Sequence, residues 1–206
     1  MNVLLINGSP HKNGCTNAAL AEVAKTLNEA GIKTTIFHIG AAPVGGCVSC
    51  GGCGRAGKCV FGGPVADVLP LVEKADGIVF GAPVHYATAA ASMLGFMPRL
   101  AISGGKYLRH KPAAVVTSAR RAGTTTALEA MEKVPQFFEM PLISSTYWPM
   151  VHGGKAEEVL SDEEGLQIMR NLGRNMAWIL KCIEAGKAAG IEIPTAENDK
   201  RTNFIR

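Results

Sequence analysis

Residues 3–17 read VLLINGSPHKNGCTN, and this stretch decides the fold. Residues 3–6 form a short apolar run without polar alternation, which is typical of a parallel strand buried on both faces. The polar turn after it contains Gly8 and Gly14, and apolar residues then recur at helical spacing up to Gly31. The stretch therefore predicts a strand, a glycine-containing turn and a helix, which together open an α/β domain.

The turn before the first helix predicts a phosphate site. Backbone N–H groups at a helix start are free to bind an anion, and the helix dipole adds partial positive charge there. Ser9, Thr16 and Asn17 can add side-chain donors. No Gly-Lys-Ser/Thr opens the helix, and Gly8 and Gly14 are too far apart for G-x-G-x-x-G. We expect a ligand with one terminal phosphate; the alternative is an ordinary capped connection.

The remaining sequence alternates between strands and helices. Further strands are predicted at residues 33–39, 77–81, 113–117 and 141–147, with helices at 65–74, 87–103, 124–138 and from a capping box at Ser161 to Gly186. Five strands alternating with five helices predict an α/β fold with a parallel, doubly wound sheet. Ligands of such sheets bind at the carboxyl ends of the strands. We expect residues 1–186 to form one domain, with a cysteine-rich loop at 45–60, and residues 187–206 to form a tail.

Composition limits the class of protein. The chain has 206 residues, of which 47% are hydrophobic and 18% charged, as in a globular domain. The net charge of +4 comes from scattered residues, so we expect no nucleic-acid partner and instead an anionic cofactor or substrate. No apolar run is long enough for a membrane span, and no signal-peptide pattern opens the chain, which predicts a cytoplasmic protein without a membrane partner.

Four cysteines lie within thirteen residues. Cys47, Cys50, Cys53 and Cys59 are spaced C-x2-C-x2-C-x5-C, with glycines between them that let the backbone bend. This clustering is used by iron–sulfur sites, whereas tetrahedral zinc more often takes two separated C-x2-C pairs. Cytoplasmic thiols stay reduced, so a disulfide framework is not expected. An iron–sulfur cluster, a zinc ion and free thiols remain as alternatives.

Two further loops follow predicted strands at the same edge of the sheet. Residues 83–88 read PVHYAT and residues 118–124 read SARRAGT. Together with the first turn and the cysteine loop, they resemble the NADPH-dependent FMN reductases of the flavodoxin-like superfamily, and the cysteine spacing resembles that of the iron–sulfur flavoproteins. The resemblance covers about residues 1–185. It implies a flavodoxin-like three-layer sandwich whose five parallel strands have the order 2-1-3-4-5, with FMN at the switch between strands one and three.

The resemblance also implies site residues. The FMN phosphate would be held by Ser9, His11, Gly14, Cys15, Thr16 and Asn17. The flavin ring would be flanked by Pro83, Val84, His85, Tyr86 and Ala87, with Ser118, Ala119, Arg120 and Gly123 alongside. His85 is the candidate for a proton donor, and a simple ring contact is its alternative role. Cys47, Cys50, Cys53 and Cys59 would hold a [4Fe-4S] cluster.

Two classes of function are compatible with these features. In the first, an enzyme uses NAD(P)H to reduce bound FMN, which passes electrons to a quinone, a free flavin or another small acceptor. In the second, an electron carrier relays electrons between ferredoxin and FMN through the cluster. A non-catalytic protein of the same fold is the third alternative. Because one domain leaves the ring exposed, we expect a homodimer or homotetramer in which the tail, with Phe204 and Ile205, docks on a neighbour.

Overall fold

The computed structural model describes residues 1–200 and 202, which form a parallel sheet covered by helices on both faces. The strands are β1 (Asn2–Asn7), β2 (Lys33–His38), β3 (Gly77–His85), β4 (Thr88–Ala89), β5 (Ala113–Ala119) and β6 (Met150–His152). Five of them are parallel in the order β2-β1-β3-β5-β6, and β4 pairs antiparallel with the end of β3. This is the flavodoxin-like order that the family resemblance implied, and it is confirmed.

The helices occupy both sides of this sheet. They are α1 (Cys15–Glu29), α2 (Gly52–Ala56), α3 (Pro64–Lys74), α4 (Ala91–Gly104), α5 (Thr124–Phe137), α6 (Ala156–Val159) and α7 (Glu163–Ala188), with a 3-10 turn at Gly105–Tyr107. The short helices α2 and α6 were not predicted, since four or five residues are too few for a helical period. Within the described residues, no helix is both long and apolar enough to span a membrane.

Alternate residues of β1 supply the two cores. Leu4 and Ile6 are fully buried in the core beneath α3, α4 and α5. Val3 and Leu5 are fully buried on the opposite face, in the core beneath α1 and α7. The predicted strand with both faces covered is therefore confirmed. The turn that follows it lies at the carboxyl edge of the sheet.

The predicted fifth strand at residues 141–147 is wrong. Only Leu142 forms a bridge, with Ala113, before the chain leaves the sheet. The Nδ2 group of Asn175 on α7 donates to the carbonyl of Ser144 (2.8 Å), and the Ser145 hydroxyl donates to a carbonyl of α7 (2.7 Å). These bonds hold the segment on the helix, so the fifth parallel strand forms later, at β6.

The predicted boundary between the third strand and its helix is also wrong. β3 extends to His85, and a two-residue turn of Tyr86 and Ala87 leads into β4. Both turn residues have positive φ, 49° and 62°, as a type I′ hairpin turn requires. Asn-Gly is the usual signal for this turn, and the dipeptide Tyr86-Ala87 carries no such signal. Helix α4 begins at Ala91 rather than Ala87.

The last helix differs from its prediction at both ends. Asp162, not Ser161, is the N-cap, because its carboxylate accepts from the Gly165 N–H (2.9 Å) and from the His152 N–H on β6 (2.7 Å). The helix continues past Gly186 to Ala188, and Gly190 with φ of 82° follows it. The predicted docking of Phe204 and Ile205 lies outside the described residues.

Candidate functional site

The turn after β1 is shaped by a buried side chain. Asn7 is fully buried, and its Oδ1 atom accepts from the Ser9 N–H at 3.0 Å. Its Nδ2 group donates to the Lys12 carbonyl at 3.1 Å, while the His11 N–H donates to Ser9 Oγ at 3.1 Å. These hydrogen bonds hold the backbone of residues 7–12 in one compact turn. Sequence reasoning missed Asn7, although an asparagine that ends a strand and bonds its own backbone two residues on is a known turn device.

The two flanking strands also hold this turn. The Gly8 N–H donates to the carbonyl of Gly81 on β3 at 2.7 Å. A Cβ atom at Gly8 would lie 2.6 Å from Met93 Cε and 3.0 Å from the Gly81 oxygen, so only glycine permits this approach. From β2, His38 Nε2 lies 2.8 Å from the Ser9 carbonyl oxygen and donates to it. β2 and β3 lie on opposite sides of β1, so the strand order changes direction at β1. The turn is thus fixed at the topological switch point of the sheet.

The start of α1 presents the features of an anion site. Its N-cap is Gly14, and no side chain caps it. The N–H groups of a first helical turn have no acceptor inside the helix and carry the positive end of the helix dipole. No acidic residue lies in this first turn. The start of α1 thus has the features of an anion site, and phosphate binding at this turn stays a prediction.

The three predicted loops meet around one cleft of about 860 Å³. Of the residues predicted to bind the cofactor, the cleft is lined by Ser9, His11, Gly14, Cys15, Thr16, Pro83, Val84, His85, Ser118, Ala119 and Arg120. Asn17, Tyr86, Ala87 and Gly123 do not line it. Its volume lies within the range of about 300–1,000 Å³ that small-molecule and cofactor sites occupy.

Two hydroxyl groups connect the first and third loops. Thr16 Oγ1 lies 2.9 Å from Ser118 Oγ, and both residues are buried at the base of the cleft. Either oxygen can be the donor, and the hydroxyl that accepts keeps its own proton for a ligand. Thr16 therefore has a structural role, holding α1 to the end of β5, beside its predicted role in phosphate binding.

The hairpin and the third loop form one rim of the cleft. Gly123 has φ of 88°, and a Cβ atom there would lie 2.6 Å from Ala87 Cα. The two loops are therefore in direct backbone contact. Tyr86, at the hairpin tip, is fully exposed, and His85 beside it is also exposed. Left-handed backbone at two non-glycine residues costs about 1–2 kcal/mol each, and such strain is concentrated at binding sites.

A fourth loop, which sequence reasoning missed, completes the cleft. Residues 153–157, which are the loop after β6 and the start of α6, also line the cleft. The Cys15 thiol donates to the Gly153 carbonyl at 3.4 Å, which ties this loop to the start of α1. This loop was missed because the fifth strand was predicted at residues 141–147. The actual fifth parallel strand, β6, ends at His152, so the residues after it lie at the carboxyl edge of the sheet.

Charge in the cleft is mainly positive. Lys12, Arg120 and Lys155 line it, against the single carboxylate of Glu157. Burial raises the pKa of the Cys15 thiol, and the nearby carboxylates of Glu158 and Glu157 raise it further, although a backbone hydrogen bond opposes them. Cys15 is therefore a neutral thiol at neutral pH, and the cations favour a ligand that carries negative charge.

The four clustered cysteines surround a second cavity of about 260 Å³. Cys47, Cys50, Cys53 and Cys59 all line it, and all are free thiols. The short helix α2 lies between the second and fourth cysteines. Gly51 and Gly57, at its two ends, have φ of 69° and 68° and let the chain curl around the cavity.

The four thiols are sulfur ligands of a kind that a metal centre can use. Four sulfurs bound to one zinc ion at about 2.3 Å must lie close to one another. In residues 1–200 and 202, no group of three or more His, Cys, Asp or Glu side chains is close enough to hold one metal ion. All four thiols line the same cavity, and their residue type is compatible with either an iron–sulfur cluster or zinc.

Helix α4 connects the two cavities. It begins just after the hairpin that borders the cleft, and Arg99, Ile102 and Ser103 near its end line the cysteine cavity. At 1.5 Å per residue, its start at Ala91 lies about 12 Å along the helix axis from Arg99. Gly95 between them contacts the Val44 backbone, so the cysteine loop starts directly against this helix.

Comparison with known proteins agrees with this fold. A family model described as NADPH-dependent FMN reductase matches residues 1–155. An iron-sulfur flavoprotein of Methanocaldococcus jannaschii is 29% identical over 192 residues, covering 89% of this chain and all of that protein.

Two solved structures share the fold at low sequence identity. A WrbA-like flavodoxin of Agrobacterium tumefaciens has a TM-score of 0.64 at 14% identity, covering 88% of this chain and 98% of that one. RosB, in a crystal structure with 8-demethyl-8-formylriboflavin-5'-phosphate, has a TM-score of 0.70 at 12% identity, covering 100% of this chain and 94% of that one.

Proposed function

The chain belongs to the NADPH-dependent FMN reductase family, a family of flavin-binding oxidoreductases, and we propose that it is an FMN-dependent NAD(P)H oxidoreductase that also holds a [4Fe-4S] cluster. The observation that carries this proposal is the pair of cavities joined by α4, one with an uncapped helix start and the other with four thiols. The relative named iron-sulfur flavoprotein supports the same combination. Bound FMN would accept two electrons as a hydride and release them singly.

The residues of the cleft fit FMN in two parts. The first turn of α1, with Ser9 and Thr16, would hold the phosphate through N–H and O–H donors. The rim formed by the hairpin and the loop at residues 118–123 would lie beside the flavin ring, where His85 is the available side chain for moving a proton. Lys12, Arg120 and Lys155 would attract the phosphates of a nicotinamide donor.

An electron carrier is the second candidate, and the charge of the cysteine loop favours it. Arg55 and Lys58 are the charged residues between positions 40 and 63, and both are exposed. Val48, Val60, Phe61 and Ile102 are exposed apolar side chains around the same cavity. A positive surface with an apolar rim suits an acidic one-electron donor such as a ferredoxin.

We also propose a homo-oligomer, because the cleft and Tyr86 are open to solvent in one chain.

Anaerobic reduction of the holoprotein distinguishes these functions. Stopped-flow absorbance should follow FMN after mixing with NADH, with NADPH or with reduced ferredoxin, in wild type, Cys50→Ser and Cys182→Ser. An oxidoreductase is reduced rapidly by a nicotinamide in all three proteins. A carrier is reduced rapidly by ferredoxin alone, and only Cys50→Ser loses that reaction, because Cys182 lies outside the cluster. FMN that binds but is reduced by none of these donors would contradict both functions.

A further inference from the structure

Arg99 on α4 is bonded to the cysteine loop at three places. Its Nε and Nη2 groups donate to Cys59 Sγ at 3.4 and 3.2 Å. Nη2 also donates to the Gly62 carbonyl at 3.1 Å, and Nη1 donates to the Gly45 carbonyl at 3.4 Å. One side chain therefore joins the backbone before the first cysteine to the backbone after the last one.

The position of Cys59 is the least restrained by the spacing of the four cysteines. The other three are separated by two residues each, whereas five residues separate Cys53 from Cys59. The carbonyl of Cys53 accepts from the Gly57 N–H at 2.9 Å, so the chain turns sharply before Cys59. The planar guanidinium presents several donors in a fixed geometry, which a flexible ammonium group cannot reproduce. Arg99 can thus set where the Cys59 sulfur stands.

The charge of Arg99 is not neutralised by a carboxylate. Among the described residues, the ion pairs join other groups, and none includes Arg99. Its side chain is half-buried, which weakens screening by solvent. Hydrogen bonds to cluster sulfurs and local net charge are among the properties that set cluster reduction potentials. A cation that donates to a ligand sulfur favours the reduced cluster, because that form carries one more negative charge.

We propose that Arg99 is the positioning residue of the iron–sulfur site. It closes the cysteine loop in the iron-free chain and raises the reduction potential of the bound cluster through its bonds to Cys59. This role rests on the proposed function only for its second half, since loop closure concerns the iron-free protein. No covalent step is involved, and one electron enters or leaves the cluster.

The test compares Arg99→Gln and Arg99→Lys with Arg55→Gln. Arg55 is an exposed cation in the same loop, and it makes no bond to a cysteine among the described residues, so its variant removes one charge without removing the contact. Hydrogen–deuterium exchange of residues 45–62 in the iron-free proteins measures loop closure. A redox titration of the reconstituted proteins, followed by electron paramagnetic resonance, measures the cluster potential.

We expect faster exchange in Arg99→Gln than in wild type or Arg55→Gln. We also expect its reduction equilibrium to fall about tenfold, or about 59 mV for one electron. Arg99→Lys should lie between Arg99→Gln and wild type, since it keeps the charge but not the fork. If Arg99→Gln takes up no iron, faster hydrogen–deuterium exchange of its cysteine loop supports the positioning role. The change in reduction potential is then measured in Arg99→Lys.

Two results would overturn this role. Exchange equal to wild type refutes loop closure, and a potential shift no larger than that of Arg55→Gln refutes tuning. Wild type that binds no iron refutes the cluster site of the proposed function itself, and the tuning role with it.

Discussion

Replacement of Gly123 by alanine tests the contact between the hairpin and the third loop. Gly123 has φ of 88°, and its added Cβ would lie 2.6 Å from Ala87 Cα and 2.9 Å from Val84 Cγ1. Gly31 is the matched control, since its φ is 81° and an added Cβ would meet nothing within 4 Å. Both substitutions impose left-handed backbone on alanine, but only Gly123→Ala also forces two loops apart.

The magnitudes follow from these two terms. Left-handed alanine costs about 1–2 kcal/mol, offset by about 0.4–1 kcal/mol because alanine lowers the entropy of the unfolded chain. Gly31→Ala should therefore lower the free energy of unfolding by about 1 kcal/mol. At Gly123, carbon atoms must separate by roughly 1 Å to reach the usual contact of about 3.5–4.0 Å. Overpacking of this kind costs about 1–3 kcal/mol more.

Two assays separate stability from binding. Urea unfolding of the FMN-free proteins gives the free energies without a contribution from ligand. Titration with FMN, followed by flavin fluorescence, gives the dissociation constant. We expect Gly123→Ala to weaken FMN binding at least tenfold, about 1.4 kcal/mol, and Gly31→Ala to leave it unchanged. Equal destabilisation by the two substitutions, or unchanged FMN affinity in Gly123→Ala, would refute the idea that this contact shapes the flavin site.

Three further substitutions or reactions test other parts of the site. Thr16→Val leaves the Ser118 hydroxyl without its partner, so the free energy of unfolding, measured in urea, should fall by about 1–3 kcal/mol. Thr16→Ser keeps the hydroxyl and loses only a buried methyl group, so its loss should be smaller, about 0.8 kcal/mol; an equal loss in both would contradict the role of the hydroxyl. Because burial raises the pKa of its thiol, Cys15 should react with iodoacetamide more slowly than the exposed Cys182 at pH 7, and its rate should keep rising at pH values above the ordinary pKa of a cysteine thiol. Mass spectrometry measures both rates, and a faster reaction at Cys15 would contradict its burial. Gly95→Ala should abolish iron uptake but retain FMN, because its methyl group would displace Val44 at the start of the cysteine loop; full iron content, measured colorimetrically, would count against that contact.

The first strand, its turn and its helix were predictable because their signals are local. A run that is apolar on both faces predicts a covered parallel strand, and a polar, glycine-containing turn before a helix predicts a site at the edge of the sheet. The strand order was implied by the family resemblance and not by these local signals. The type I′ turn at Tyr86 and Ala87 was not predictable, since tertiary contact with Gly123 replaces the usual Asn-Gly signal. The fifth strand was misplaced because Asn175, far along the chain, holds Ser144 away from the sheet.

Long-range contacts also explain which site residues were missed. Asn7 could have been recognised from its position at a strand end, but its two hydrogen bonds depend on the closed shape of the turn. Arg99 lies 40 positions from Cys59 and reaches it only because α4 passes beside the cysteine loop. The four cysteines themselves were evident, whereas the cavity that they share appears only in three dimensions.

The cofactor content of the protein reconstituted without oxygen decides whether the chain holds both FMN and an iron–sulfur cluster. FMN, iron and sulfide should be quantified per chain in wild type and Cys50→Ser, with absorbance spectra of both. We expect one FMN with about four iron and four sulfide ions in wild type, and FMN without iron in Cys50→Ser. Wild type with FMN but no stoichiometric iron and sulfide would contradict the cluster site, and wild type without FMN would contradict the cleft as a flavin site.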